Sequence, residues 1–206
     1  MKKTLTMVLA FALVFALGVG GTLAWLTAET TEVVNTFTVG DINIELKEHK
    51  LNADNKTLSE TLTNPAAADG NNYDYVPGDT LPKDPFVTVK ANSEACWLFV
   101  KIDVANNTNN NIEGDNKNVI NWAIASGWTP VTEGSNIYYR EVAATGENDT
   151  DPMYVLANNN VTVNENVTKD MVTGLNTNKP TLTFKAAAVQ KDNIADVATA
   201  LTKVQW

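Results

Sequence analysis

The chain has 206 residues with 15 basic and 24 acidic side chains, a formal net charge of −9, and one cysteine. An acidic exterior repels phosphate backbones and anionic membranes, which sets nucleic acid and lipid surfaces aside as partners. A single cysteine closes no intramolecular disulfide, so the core is expected to be held by packing alone.

Lys2 and Lys3 precede an apolar run from Leu5 to Val19, broken at its end by Gly18, Gly20 and Gly21 and followed by Thr22 and Ala24. A basic start, an apolar centre and a small-residue exit is the order of a secretory signal peptide. A retained membrane span needs about 20 apolar residues, and the glycines cut the run short. Cleavage is expected between Ala24 and Trp25, with Ala28 as the second choice. It leaves 182 residues, enough for one domain with a core. Two lysines leave with the leader, so 13 basic residues face 24 acidic ones and the charge becomes −11. The expected location is outside the cell. Cys96 lies too far from the cut to carry a lipid, and Lys203 to Trp206 offers no sorting motif, so no stable membrane anchor is expected after cleavage. The organisation reads as leader 1–24, flexible N-terminal segment 25–36, and a single β-sandwich domain 37–206.

Trp25 would begin the mature chain, where an apolar ring has no local core to enter; such an exposed group implies a docking place. Phe37 and Val39 alternate in one phase, and Ile42, Ile44 and Leu46 in the other. Gly40 at the change suggests a β-bulge. Leu51 to Tyr75 is polar and reads as a long loop. Pro77-Gly78-Asp79 is a turn, and Pro82 and Pro85 bracket a second turn or a short edge segment. Phe86 to Lys90 is a strand. So is Ala95 to Val104, with Cys96, Leu98, Val100, Ile102 and Val104 on one face and Trp97 and Phe99 on the other, a pattern expected to be covered on both sides. Cys96 reads as a small core residue.

Asn106 to Asn118 is Asn-rich and turn-like. Val119 to Ala125 reads as a short strand or helix, and Asn136 to Val142 as a strand. Thr145 to Pro152 is an acidic loop. Met153 to Ala157, Val161 to Val163 and Thr181 to Gln190 are extended. Ile194, Val197, Ala198, Leu201 and Val204 repeat at helical spacing, with Asp192 or Asn193 as the cap. Many short strands, turn signals and one late helix predict an all-β fold: an antiparallel, jelly-roll-like sandwich with long loops and a short C-terminal helix.

Catalytic motifs are sparse. His49, the only histidine, sits in Lys47-Glu48-His49-Lys50 and reads as a solvated strand end. Ser59, Ser93, Ser126 and Ser135 lie in no Gly-x-Ser-x-Gly elbow. A zinc-protease helix needs two histidines one turn apart. For metals, Glu147, Asp149 and Asp151 alternate in one loop and are weak calcium candidates, the only cofactor expectation. Asp115 with Glu113 and Asn116 is a second such place. Trp97, Trp122 and Trp128 sit in apolar contexts that favour packing over carbohydrate stacking.

The leader ending Gly-Val-Gly-Gly-Thr22-Leu23-Ala24-Trp25-Leu26-Thr27, followed by Asn35-Thr36-Phe37-Thr38-Val39-Gly40-Asp41-Ile42-Asn43-Ile44, resembles the TasA/camelysin family of Gram-positive bacteria. Tyr75-Val76-Pro77-Gly78-Asp79, Lys83-Asp84-Pro85, Val87-Thr88-Val89, Cys96 to Ile102 and Lys185 to Gln190 are similar to the same group. The resemblance implies exported biofilm-matrix fibre subunits whose leaders are cut by a SipW-type signal peptidase. It also implies a jelly roll that polymerises with itself by donor-strand exchange, with an accessory matrix protein as a further partner. On this chain the donor would be drawn from Trp25, Leu26, Ala28, Val33 and Val34, where no glycine or proline interrupts a strand. Glu29 and Glu32 would face solvent. Two other readings stand beside it: a camelysin-like surface metalloprotease, for which no metal triad is visible, and a monomeric surface adhesin or binding module.

Overall fold

The structure, a computed structural model, describes residues 40–63, 70–168, 170–171 and 179–206. The donor candidates Trp25, Leu26, Ala28, Val33 and Val34, the cleavage pair Ala24 and Trp25, and Phe37 and Val39 with the boundary expected there lie outside these residues, while Gly40, where the bulge is expected, is described and lies in no strand. Gly40–Trp206 forms one unit.

Period-two alternation builds most of the elements. They are β1 (Ile44–Lys47), β2 (His49–Leu51), β3 (Leu58–Leu62), β4 (Thr80–Pro82), β5 (Phe86–Val89) and β6 (Cys96–Ala105). There follow β7 (Ile120–Asn121), β8 (Thr129–Pro130), β9 (Ile137–Val142), β10 (Met153–Tyr154), β11 (Asn160–Val163), β12 (Thr181–Gln190) and the helix α1 (Val197–Leu201). The strands form sheets ordered β12-β6-β9-β8, β1-β5-β10 and β4-β11-β7, with a separate β2-β3 hairpin. Among the described residues every paired strand is antiparallel. The fold is the all-β sandwich with a short C-terminal helix that the strand pattern predicts.

The two faces of β6 organise two cores. Cys96, Leu98, Val100 and Ile102 point into the main core, where they meet Val87 and Val89 of β5 and Val161 and Val163 of β11. Each of those large side chains gains roughly 1.5–3 kcal/mol by leaving water. Trp97 and Phe99 point the other way and are covered by Ala200 of α1, with Val197, Leu201 and Val204 beside it. Five helical residues are too few to hold a helix in water, so α1 exists because this apolar face needs a cover. Its cap is Asp196, which accepts from the Thr199 N–H at 2.7 Å, and not Asp192 or Asn193. The chain between them closes a turn instead, with Asn193 at φ 63° and the Ile194 N–H donating to Lys191 O.

One other expectation is corrected. The supposed loop after Leu51 contains the β2-β3 hairpin, whose turn is closed by Asn52 N–H to Thr57 O and by Asn55 at φ 58°. Polar strand residues hid it, because this hairpin buries little. Of the two alternatives for Val119 to Ala125 the strand is the one found, since Ile120–Asn121 pairs with β11 and Ile124 bridges Leu156. The Asn-rich stretch before it is pinned by Asn107. Its buried carboxamide donates to Ile120 O at 2.9 Å and accepts from Ile120 N–H at 2.7 Å, imitating a strand partner.

Candidate functional site

The feature that stands out is an open sheet edge. β12 pairs with β6 over its full ten residues, and among the described residues no strand lies on its other side. The Lys191 N–H donates to Ala95 O just beyond the strand. Antiparallel bonding alternates, so the N–H and C=O groups of Leu182, Phe184, Ala186 and Ala188 face the outer edge, while their side chains pack on the main core. An unpaired edge of this length is a template for another strand.

Two cavities of about 360 Å³ each adjoin the first half of that edge. The first lies between Leu46 and Lys47 of β1 and Leu182 to Phe184 of β12, with Pro85 in its wall. The second is walled by Tyr73, Tyr75, Leu81, Ile120, Val161 and Leu182 together with the polar Asn72, Asp74, Lys179 and Thr183. Asn71 and Lys83 line both. β1 is itself an edge strand, bonded only to β5 among the described residues.

The rim shared by the cavities is a buried polar cluster. Lys83, 8% exposed, places Nζ 2.8 Å from Glu48 Oε2 and over the rings of Tyr73 and Phe184, 5.6 and 5.3 Å from their centroids. Asn71 Nδ2 donates to Glu48 Oε1 at 3.1 Å and to His49 O at 2.9 Å, and Asn71 Oδ1 accepts from Leu51 N–H at 2.8 Å. Tyr73 donates its hydroxyl proton to Pro82 O at 3.0 Å, and burial pushes the phenol well above its ordinary range. Asp84, 4% exposed, accepts from His49 N–H at 3.0 Å and contacts His49 Nδ1 at 2.6 Å. His49 is therefore not a solvated strand end: it is half-buried against Phe86 and orders a carboxylate. The sequence signal for this cluster was available in Lys83-Asp84 between two prolines, where charged residues occupy positions that bury.

The other singled-out residues fall elsewhere. Asp149 accepts a hydrogen bond from Lys90 Nζ and another from Ala91 N–H, and these, the lysine first, hold its carboxyl below the ordinary range. Asp149 is thus committed to Lys90, while Glu147 and Asp151 are exposed neighbours in the loop. Among the described residues no three His, Cys, Asp or Glu side chains are grouped to hold a metal ion. Cys96 is fully buried, and burial pushes its thiol up to about 11. Trp97 and Trp128 are packed, Trp128 donating its indole N–H to Tyr154 O at 2.8 Å. The chain matches no protein-family model, no curated protein and no solved structure.

Proposed function

We propose that the chain is a secreted structural subunit that polymerises head-to-tail into extracellular matrix fibres, each copy donating its N-terminal segment to the next. The observation that carries this reading is the open edge of β12 beside two cavities whose linings mix apolar and polar side chains. Backbone pairing along the edge gives affinity, and side chains in the cavities give register. Trp25, Leu26, Ala28, Val33 and Val34 supply apolar groups for such cavities. Because donor and acceptor are different surfaces, the contact propagates and does not close as a dimer.

Strands in a sheet lie about 4.7–4.9 Å apart. A donor seated between β12 and β1 therefore needs those edges nearly 10 Å apart. Their Cα atoms approach within 8 Å, so full insertion requires β1 and β12 to part by at least ~2 Å. In this scheme a SipW-type signal peptidase frees Trp25, and an accessory matrix protein would start or end the polymer.

The test is electron microscopy and sizing of the chain beginning at Trp25 beside one beginning at Asn35. Fibres from the first and monomers from the second are the expected result. Fibres from both would move the contact away from the N-terminal segment. Monomers from both, across pH and concentration, would overturn the fibre reading in favour of a binding module or an enzyme.

A further inference from the structure

A lysine is rarely buried without a partner, and Lys83 has one in Glu48. A plain ion pair would need nothing more. Here the second oxygen of the same carboxylate holds the carboxamide of Asn71, so amine and amide nitrogen sit on the two oxygens of one acid. The amide oxygen is held by the Leu51 N–H. Glu48 and Lys83 side chains are only 12% and 10% exposed, and Tyr73 and Phe184 cover the amine. An amine, an amide carbonyl with a backbone donor on its oxygen, and a shared proton carrier that is itself largely buried are the parts an amide exchange requires.

The geometry points to a self-catalysed isopeptide bond between Lys83 Nζ and Asn71 Cγ, with Glu48 as the catalytic residue. Lys83 first passes a proton to Glu48, which converts the ion pair to a neutral amine and a carboxylic acid. The Nζ lone pair then attacks Asn71 Cγ, and the carbonyl π electrons move to Oδ1, where the Leu51 N–H stabilises the oxyanion. Glu48 delivers its proton to Nδ2 and accepts one from Nζ. The oxyanion collapses, the Cγ–Nδ2 bond breaks, and ammonia leaves, taking the proton from Glu48 to depart as ammonium. An ammonium side chain and a carboxamide become one secondary amide and one ammonium ion. No oxidant or co-reactant is consumed, and Glu48 returns to its starting state.

The bond would tie the segment at Asn71 to the β4–β5 connection at Lys83, fixing the rim that both cavities share. It does not depend on the fibre reading, since a monomeric module would form it equally.

Trypsin and mass spectrometry read it directly on the purified full chain. Without the bond, cleavage at Lys56, Lys83 and Lys90 gives separate peptides Thr57 to Lys83 and Asp84 to Lys90. With it, Lys83 resists trypsin, and one peptide from Thr57 to Lys90 appears, lighter by one ammonia and lacking backbone fragments between Asn71 and Lys83. Glu48→Gln and Asn71→Ala, each checked for folding by circular dichroism, are expected to restore the cut and the full mass. A folded wild-type chain that is cut at Lys83 at full mass overturns the proposal. So does ammonia loss from a peptide still cut at Lys83, which would mark a succinimide. A cross-link surviving in folded Glu48→Gln would overturn the role of Glu48.

Discussion

Cys96 sits on the core face of β6 with no exposed surface, and its environment has a measurable consequence. Its folded value of about 11 lies above the ordinary 9.0 because burial penalises the thiolate. Between those values the unfolded chain releases a proton that the folded chain keeps, so stability falls as pH rises through the window. Two units correspond to about 2–3 kcal/mol by its upper end. Urea midpoints across the window should therefore drop in the wild type and drop less in Cys96→Ala; parallel profiles would show that Cys96 ionisation is not what is lost. Asparagine shows a different kind of residue logic. Among the described residues every non-glycine with positive φ is an asparagine, at positions 55, 92, 106, 158, 159 and 193. Asparagine tolerates that region better than other side chains, so the Asn-rich composition of the loops is a conformational device.

At the level of elements, β12 carries the argument for assembly, and a single proline can separate its two edges. Ala186 presents its N–H outward, so Ala186→Pro removes a donor from the open edge while leaving the β6 ladder intact. The unfolding free energy from urea titration should change by about 1 kcal/mol or less, while fibre yield by sedimentation falls at least several-fold. Unchanged polymer would place the contact on another edge. The strands themselves were legible where one face is buried: the alternation of β6 predicted both its core face and the covered Trp97 and Phe99. The β2-β3 hairpin was not, because Leu58-Ser59-Glu60-Thr61-Leu62 is mostly exposed and carries no clean apolar period. The candidate site was legible only in pieces. Glu48, Asn71 and Lys83 are separated in sequence and meet because β1 and the β4–β5 connection converge, which no local pattern states.

For the whole molecule, charge would decide how copies meet in the proposed fibre. Without residues 1–24 each copy would carry −11, and in the proposed assembly the donor segment would add Glu29 and Glu32 to the approaching end. Lys179 precedes β12, and Lys185 within it shares Asp103 at 3.1 Å with the neighbouring strand, so in the last few ångströms of a correct approach Glu29 and Glu32 would meet Lys179 and compete with Asp103 for Lys185. The two effects act over different ranges. At about 0.01 M salt the Debye length is about 30 Å, and subunits feel one another's net charge before any strand can pair; at about 0.15 M it is about 8 Å, and only the local pairs remain. Repulsion between like-charged bodies is thus removed by salt more fully than the short-range attraction. Fibre growth followed by light scattering should accelerate on going from low to physiological salt. Slower growth on adding salt would mean that the lysines beside the edge dominate, and Lys185→Glu would then abolish the effect. Growth indifferent to salt would mean that encounter is not limiting and that the parting of β1 from β12 sets the rate, a step that Leu46→Ala at the wall of the first cavity should hasten.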